Sequence, residues 1–288
     1  MKKPVKLFVH GISGWIGFYA AEYVSRVLPH IELYGTHRAP AFTPTQGNLR
    51  VLKIEKSRDC LDLLRQIKPE FFLNLARGEM EEDFSVHQSL IEALNSLGSH
   101  YSYTSSSNAC DNNASETHHE SEKSNAKSDY GKFKARCEVE LEKYSNSFSA
   151  FRFSAIHGWA PNRRARTETF LQRLRAGEQI KVNCGILQNR TFVGDLAGMM
   201  VDATLNRGRG IFHLGTVDFS DELDFLRGLA SVFGYPEDQV VRGDLMPCNI
   251  VMAPQKILEL FGGKWRRTEA ETLDSVAKSV PLRQYKHG

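Results

Sequence analysis

The stretch VKLFVHGISGWIG, residues 5–17, decides the fold. An apolar run, Val5–Val9, is followed at once by glycines spaced three residues apart, Gly11, Gly14 and Gly17. The run predicts a buried strand, and the residues after the second glycine predict a helix. Unpaired N–H groups and the dipole at a helix N-terminus attract anions. The stretch therefore predicts a turn that holds the diphosphate of a dinucleotide.

Each glycine has a separate task in such a turn. Gly11 permits the tight turn, Gly14 lets the diphosphate approach the backbone, and Gly17 lets the helix pack close to the strand. The other cofactor contacts that we predict in the turn are Ser13, Trp15 and Ile16. Because the turn follows a strand and opens a helix, we favour dinucleotide binding over a purely structural turn.

Downstream of the turn, predicted strands alternate with predicted helices. The strands are residues 31–35, 49–54, 71–75, 100–104 and 150–155, and the helices are residues 60–67, 86–97 and 130–144. This alternation predicts an α/β fold, a doubly wound parallel sheet (Rossmann fold) with helices on both faces. Ligands of such sheets bind at the carboxyl ends of the strands.

The pattern changes after about residue 158, where short helices mix with short strands. We expect residues 1–160 to form a dinucleotide-binding domain and residues 161–288 to form a smaller C-terminal substrate-binding lobe. No Gly/Ser-rich linker separates the two segments, so we expect them to interleave. The polar stretch at residues 111–129 predicts a surface loop, either idle or acting as a lid over the site.

Composition and charge exclude several classes of protein. The 37 basic residues nearly balance the 34 acidic ones, which argues against nucleic-acid binding. The five cysteines are scattered without a CxxC pair, so we expect no disulfides, no metal site and a reducing cytoplasmic location. The pair His118-His119 is expected in a solvated loop. We expect no signal peptide and no membrane segment, since the N-terminal apolar run has only five residues and no run reaches about 18.

The end of the second strand indicates which dinucleotide binds. An NAD-preferring site usually places an acidic residue there, against the ribose 2′-hydroxyl. This sequence has Thr36, His37 and Arg38 instead. Because arginine binds phosphate through charge-assisted hydrogen bonds, these residues predict NADP, with NAD the less favoured cofactor.

A YxxxK motif, Tyr130 to Lys134, lies at the start of a predicted helix. Positions i and i+4 share one helix face, and a nearby ammonium is expected to lower the pKa of the phenol. Such a tyrosine exchanges a proton with a substrate alcohol or ketone. The stretch YTSSSNACD, residues 103–111, follows the fifth strand and precedes the motif.

Together these segments resemble the extended branch of the short-chain dehydrogenase/reductase superfamily, with the dTDP-4-dehydrorhamnose reductase-like and epimerase group most similar. The resemblance implies that Tyr130 donates the proton, that Lys134 tunes Tyr130 and binds the nicotinamide ribose, and that Ser106 steadies the reacting oxygen. Ser107 takes this role instead if the match to the family pattern is shifted by one residue. Ser105 is expected to face away from the site, because side chains alternate along a strand. Leu75 and Ala76 match residues that lie beneath the cofactor in this family.

The second lobe carries a run of basic residues between positions 163 and 190 that is suited to a diphosphate. Arg190 lies in NRTFVGDLA, which resembles the PTFVxDLA segment of the reductase group. We therefore predict that Ser107, Asn108 and Arg190 bind substrate.

The resemblance implies an NADP-dependent oxidoreductase that reduces a keto group of a nucleotide-linked sugar, with hydride from NADPH and a proton from Tyr130. One alternative is a nucleotide-sugar epimerase that retains its cofactor. Another is a non-catalytic NADP(H)-binding sensor or regulatory subunit. The amphipathic helices at residues 130–144 and 195–205 fit either a homodimer or packing on their own sheet.

Overall fold

A seven-stranded parallel sheet forms the centre of the protein. The computed structural model describes residues 4–38, 49–112, 114–161 and 163–280. In spatial order the strands are β3 (Leu49–Lys53), β2 (Glu32–His37), β1 (Lys6–His10), β4 (Phe71–Asn74), β5 (His100–Thr104), β6 (Phe148–Arg152) and β10 (Gly210–His213). The order reverses between β1 and β4, which places a crevice at their carboxyl ends. The predicted doubly wound sheet is confirmed.

Helices cover both faces of this sheet, because neighbouring strand residues point to opposite sides. Leu7 packs into a cluster with α1 (Trp15–Val27) and α6 (Val193–Leu205). Phe8 packs into a second cluster on the other side. The helices of that second face are α2 (Cys60–Ile67), α3 (Glu81–Leu97) and α4 (Asp129–Tyr144).

A second lobe is built around a three-stranded sheet. Its central strand β8 (Ile180–Gln188) is parallel to β12 (Val240–Asn249) and antiparallel to β11 (Ser220–Asp221). Two short strands, β7 (Ala155–His157) and β9 (Arg190–Phe192), pair beside it. The helices of this part of the chain are α5 (Arg166–Arg175), α7 (Glu222–Val232), α8 (Gln255–Phe261) and α9 (Glu269–Lys278).

The chain passes back to the large sheet after its first second-lobe strands. Helix α6 packs against α1, and strand β10 pairs in parallel with β6. Both elements follow β8 and β9 in sequence, so the last strand of the large sheet comes from a later part of the chain than the first strands of the second lobe. Within the described residues, no helix has the length and apolar character needed to span a bilayer.

Two local differences from the sequence prediction have clear physical reasons. Helix α3 begins at Glu81, five residues before the predicted start at residue 86, because its first turn is polar and carries no apolar periodicity. The Asp83 carboxylate accepts the N–H groups of Glu79 and Met80, which fixes that start. Strand β12 was not predicted, since shifts in its register interrupt the alternation of side chains.

Candidate active site

The glycine turn has the conformation that its sequence predicts. Gly11 has a φ of +87°, in the region that favours glycine, and the Gly14 N–H donates to the Gly11 carbonyl at 3.0 Å. A Cβ on Gly17 would lie 2.5 Å from the Gly11 carbonyl oxygen. Helix α1 can therefore begin tight against the turn only with glycine at position 17.

A groove of about 480 Å³ opens above the turn, at the carboxyl ends of β1, β2 and β4. All predicted contacts around the diphosphate and ribose line it, namely Gly11, Ser13, Gly14, Trp15, Ile16, Gly17, Thr36, His37, Arg38, Leu75 and Ala76. Sequence reasoning missed further lining residues, which are His10, Ile54, Ser57, Arg77, Ala160, Pro161 and Arg163. The second-lobe residues among these close the groove from the opposite side.

The N-terminus of α1 fits an anionic group in this groove. Its N-cap is Gly14, which makes no side-chain cap, and no acidic residue lies in the first turn. The backbone N–H groups there are left to a ligand. Arg38 is exposed at the end of β2, where it adds a positive charge to the groove. The residues present therefore fit a dinucleotide with an additional phosphate.

Ser106 and Tyr130 meet beside this groove. Ser106 is the N-cap of a short 3₁₀ helix, Ser107–Cys110, and its side chain lies close enough to Tyr130 to interact with the phenol hydroxyl. Ser105 points inward and donates to Glu138 Oε1 at 2.5 Å, as the alternation of the strand predicted. The contact with Tyr130 favours Ser106 over Ser107 for the role of steadying the reacting oxygen.

Gly131 determines how closely α4 packs against residues 105–110, which we call the serine segment. A Cβ at this position would lie 2.1 Å from the Asn108 carbonyl oxygen, closer than any real contact. The hydroxyl of Ser128, the N-cap of α4, accepts the Gly131 N–H at 3.1 Å. Sequence reasoning missed Gly131, although a glycine inside the YxxxK motif is itself a signal of close packing.

Lys134 lies beneath the tyrosine and is 2% exposed. Its Nζ is 5.6 Å from the ring centroid of Tyr130 and donates to the Tyr103 hydroxyl at 3.1 Å and the Thr104 carbonyl at 3.0 Å. Burial lowers the pKa of Lys134 from 10.5 to about 8. The ammonium is therefore held by β5 rather than by the hydroxyl of Tyr130.

The pKa of Tyr130 is raised, which corrects the expectation that Lys134 lowers it. Burial of the phenol is the main cause, and the positive charge of Arg77 opposes it only in part. The Arg77 guanidinium lies 5.7 Å from the Tyr130 ring centroid, at the edge of the cofactor groove. In this structure the phenol is thus kept as a neutral acid.

A buried ion pair supports the site from behind. Arg152 on β6 donates from Nε and Nη2 to the two carboxylate oxygens of Glu138 on α4, at 2.9 and 2.7 Å. Ser105 and Ser124 hydrogen-bond the same carboxylate. This network joins β5, β6 and α4 one turn beyond Lys134, so it fixes the position of Ser106 relative to Tyr130. The sequence carried no local signal of it, because the partners lie far apart in the chain.

Arg190 has a different environment from the one that we predicted. Its side chain is 0% exposed, and it pairs with Glu222 at 2.9 Å and Glu269 at 3.1 Å. Further hydrogen bonds run to the carbonyls of Gln188 and Ser220. The charge of Arg190 is therefore already neutralised inside the second lobe, which argues against its predicted substrate role. Of the other predicted substrate residues, Ser107 is buried and Asn108 is partly exposed.

A second cavity, of about 640 Å³, lies between α5 and β8. It shares Ile156 with the cofactor groove, so the two spaces adjoin. Basic side chains line it, namely Arg164, Arg166, Arg173 and Lys181. Because Arg173 pairs with Glu178 at 2.7 Å, Arg164, Arg166 and Lys181 are the residues that offer positive charge to a ligand in the second lobe.

The sequence matches no protein-family model and no curated protein sequence. Solved structures do match it over nearly the whole chain. WbmH of Bordetella bronchiseptica, in complex with NAD⁺, has a TM-score of 0.79 at 20% identity, over 98% of this chain and 99% of that chain.

Two further solved structures are similar in the same way. UDP-N-acetylglucosamine 4-epimerase of Bacillus cereus has a TM-score of 0.77 at 20% identity, over 95% of this chain and 98% of that one. The dTDP-4-dehydrorhamnose reductase of Bacillus anthracis, in complex with NADP, has 0.76 at 15% identity, over 95% and 99%. The chain shares its fold with these three proteins, and this is the doubly wound fold that its motifs predicted.

Proposed function

We propose that the protein is an NADP-dependent oxidoreductase that reduces a keto group of a nucleotide-linked sugar, with Tyr130 as the proton donor. The observation that carries the proposal is the closeness of Tyr130 and Ser106 beside a groove that fits a dinucleotide. A positioned acid, a hydroxyl that steadies oxygen and a dinucleotide groove are the parts that carbonyl reduction requires.

The lining of the groove supports a position for each phosphate group of the cofactor. The N–H groups at the start of α1 would hold the diphosphate, and Arg38 would bind the 2′-phosphate of NADP. When bound, NADPH supplies the hydride. The solved structures of similar fold include one in complex with NADP and one with NAD⁺, which supports the assignment of the groove to this class of cofactor.

The electrostatics suit proton donation in the direction of reduction. Because burial raises the pKa of Tyr130, its hydroxyl remains protonated at neutral pH and can donate to a developing alkoxide. Ser106 would hold that oxygen against the Tyr130 hydroxyl. Lys134, with its pKa lowered to about 8, changes charge readily and lies within reach of the tyrosine ring.

The second cavity supports a nucleotide sugar as substrate. Its basic side chains match a diphosphate, and its contact with the cofactor groove at Ile156 would place a sugar near Tyr130. A similar fold is seen in MoeE5, solved in complex with UDP-glucose and NAD, at 18% identity and a TM-score of 0.74.

The test is NADPH oxidation, followed by absorbance at 340 nm, with dTDP-, UDP-, GDP- and CDP-linked 4-keto sugars. We expect turnover with at least one of them, and a loss of about 10³-fold in Tyr130→Phe with NADPH affinity unchanged. Tyr144→Phe is the matched control, because Tyr144 is on the same helix and 51% exposed.

The same preparation separates the alternatives. Tightly bound oxidised cofactor, with interconversion of sugars and no net oxidation of NADPH, would identify an epimerase. NADPH binding without turnover of any sugar would identify a sensor. Full activity in Tyr130→Phe would show that Tyr130 is not the proton donor.

A further inference from the structure

Residues 114–128 of the polar loop place two metal-binding side chains, His118 and Glu122, next to Cys110 of the serine segment. The ligand atoms of Cys110, His118 and Glu122 all lie within 4.8 Å of one another. Cys110 and His118 are both 0% exposed, whereas Glu122 is partly exposed. The expectation that His118 lies in a solvated loop is therefore wrong.

His118 has a free ring nitrogen in this cluster. Its Nδ1 is 2.9 Å from Glu122 Oε2, while its Nε2 is buried with no hydrogen-bond partner among the described residues. A neutral imidazole that donates from Nδ1 carries a lone pair on Nε2. Leaving a buried lone pair bare costs free energy, about 1–3 kcal/mol. A metal ion bound at Nδ1 would replace the proton shared with Glu122 and would leave the N–H on Nε2.

A second buried imidazole nearby also lacks hydrogen-bond partners among the described residues. His213, at the end of β10, is 0% exposed and has no hydrogen-bond partner on either ring nitrogen within the described chain. It lies against the backbone of His118, near the charged side chain of Arg152. Two buried imidazoles with ring nitrogens that lack a partner among the described residues thus lie beside the loop.

We propose that Cys110, His118 and Glu122 bind one divalent transition-metal ion of the Zn²⁺ class. A thiolate, an imidazole and a carboxylate are the donor types that Zn²⁺ accepts. The thiolate and carboxylate carry two negative charges, which balance the ion inside the protein. Zinc bonds of about 2.0–2.3 Å require the donor atoms to move closer by about 1 Å, which side-chain rotation can supply.

The ion would hold the loop in place between the serine segment and the second lobe. The His118 N–H donates to Val251 at 2.9 Å, and its carbonyl accepts the Ala253 N–H at 3.0 Å. Cys110 ends the short 3₁₀ helix whose N-cap is Ser106. A metal at this place would therefore join the serine segment to the second lobe, in a structural role that does not depend on the proposed reaction.

The test uses Co²⁺ on the full-length protein after chelation of bound metal. We expect one equivalent to bind, with the near-ultraviolet charge-transfer band of a thiolate–cobalt bond, and elemental analysis of untreated protein to find stoichiometric metal. Cys110→Ser should abolish the band. Cys248→Ser should keep it, because Cys248 is a partly exposed cysteine outside the cluster.

A second variant tests the imidazole. His118→Gln should weaken Co²⁺ binding at least tenfold, while far-ultraviolet circular dichroism confirms that the chain is folded. The proposal is overturned if Co²⁺ gives no thiolate band, if the band survives in Cys110→Ser, or if His118→Gln binds as tightly as the parent. None of these readouts requires enzymatic turnover, so failure here leaves the proposed reaction intact.

Discussion

In the sheet lobe, the buried cation Lys134 lies 5.6 Å from the ring of Tyr130 and within one helical turn of it. In the second lobe, the buried cation Arg190 lies between Glu222 and Glu269, which come from distant parts of the chain. Both side chains are buried, but Arg190 is paired with two carboxylates, whereas Lys134 donates to a hydroxyl and a carbonyl of β5. The comparison teaches that a basic residue in a family motif signals a ligand only where its neighbours leave the charge available.

The largest expected effect is loss of stability on Arg190→Ala. The substitution leaves two carboxylates in the second lobe without their counter-ion, and breaking a buried pair costs about 3–5 kcal/mol. Urea unfolding measures it. Arg164→Ala, on the exposed side of the second cavity, should change stability by no more than about 0.5 kcal/mol. A stable Arg190→Ala protein with impaired substrate binding would reverse this assignment.

The next effect concerns the packing of α4 on the serine segment. Gly131→Ala forces a methyl group against the Asn108 carbonyl, which should cost about 1–3 kcal/mol and lower turnover by separating Tyr130 from Ser106. Gly263→Ala is the matched control, because a Cβ there meets nothing within 4 Å. Equal stability and turnover in the two variants would show that the close approach is unimportant.

Arg38→Ala tests the cofactor preference of the sheet lobe. Loss of charge-assisted hydrogen bonds should weaken NADPH binding by about 1.5 kcal/mol, which is roughly tenfold, and leave NADH binding unchanged. Fluorescence titration of both reduced cofactors measures the ratio. An equal loss for both would mean that Arg38 does not contact the 2′-phosphate.

Buried histidines predict the dependence of stability on pH. Burial lowers the pKa of His100 to about 4 from 6.5. As pH falls below 6.5, the unfolded chain takes up the proton first, so stability present above that pH is lost progressively down to about pH 4. His100→Gln should remove about 1 kcal/mol per pH unit from this slope. His30→Gln, at an exposed position, should leave it unchanged, and an identical slope in all three proteins would contradict the assignment.

The difference between the lobes also explains what the sequence could predict. The glycine turn and the pair of Tyr130 and Lys134 act through short spacings that recur in a turn or a helix, so their positions follow from local geometry. The role of Ser106 was implied by the resemblance to a family. The cofactor role proposed for Arg38 was predicted from its position at the end of a strand. The parallel sheet follows from the alternation of apolar strands and helices, which sets its layers.

What remained unpredictable depends on distant partners. The pairing of Arg152 with Glu138 and of Arg190 with its two carboxylates is set by the packing of separate elements. The burial of His118 is set by its contact with the strand end near residue 251. The raised pKa of Tyr130 depends on how much solvent the whole fold excludes from it. None of these has a local pattern.

A crystal structure of the protein with NADP tests the central claim most directly, which is that the glycine turn and Tyr130 belong to one site. The account predicts the diphosphate on the N–H groups at the start of α1, the 2′-phosphate at Arg38, and the nicotinamide beside the Tyr130 and Ser106 hydroxyls. A dinucleotide bound elsewhere, or a Tyr130 hydroxyl that faces bulk water away from the nicotinamide, would contradict it.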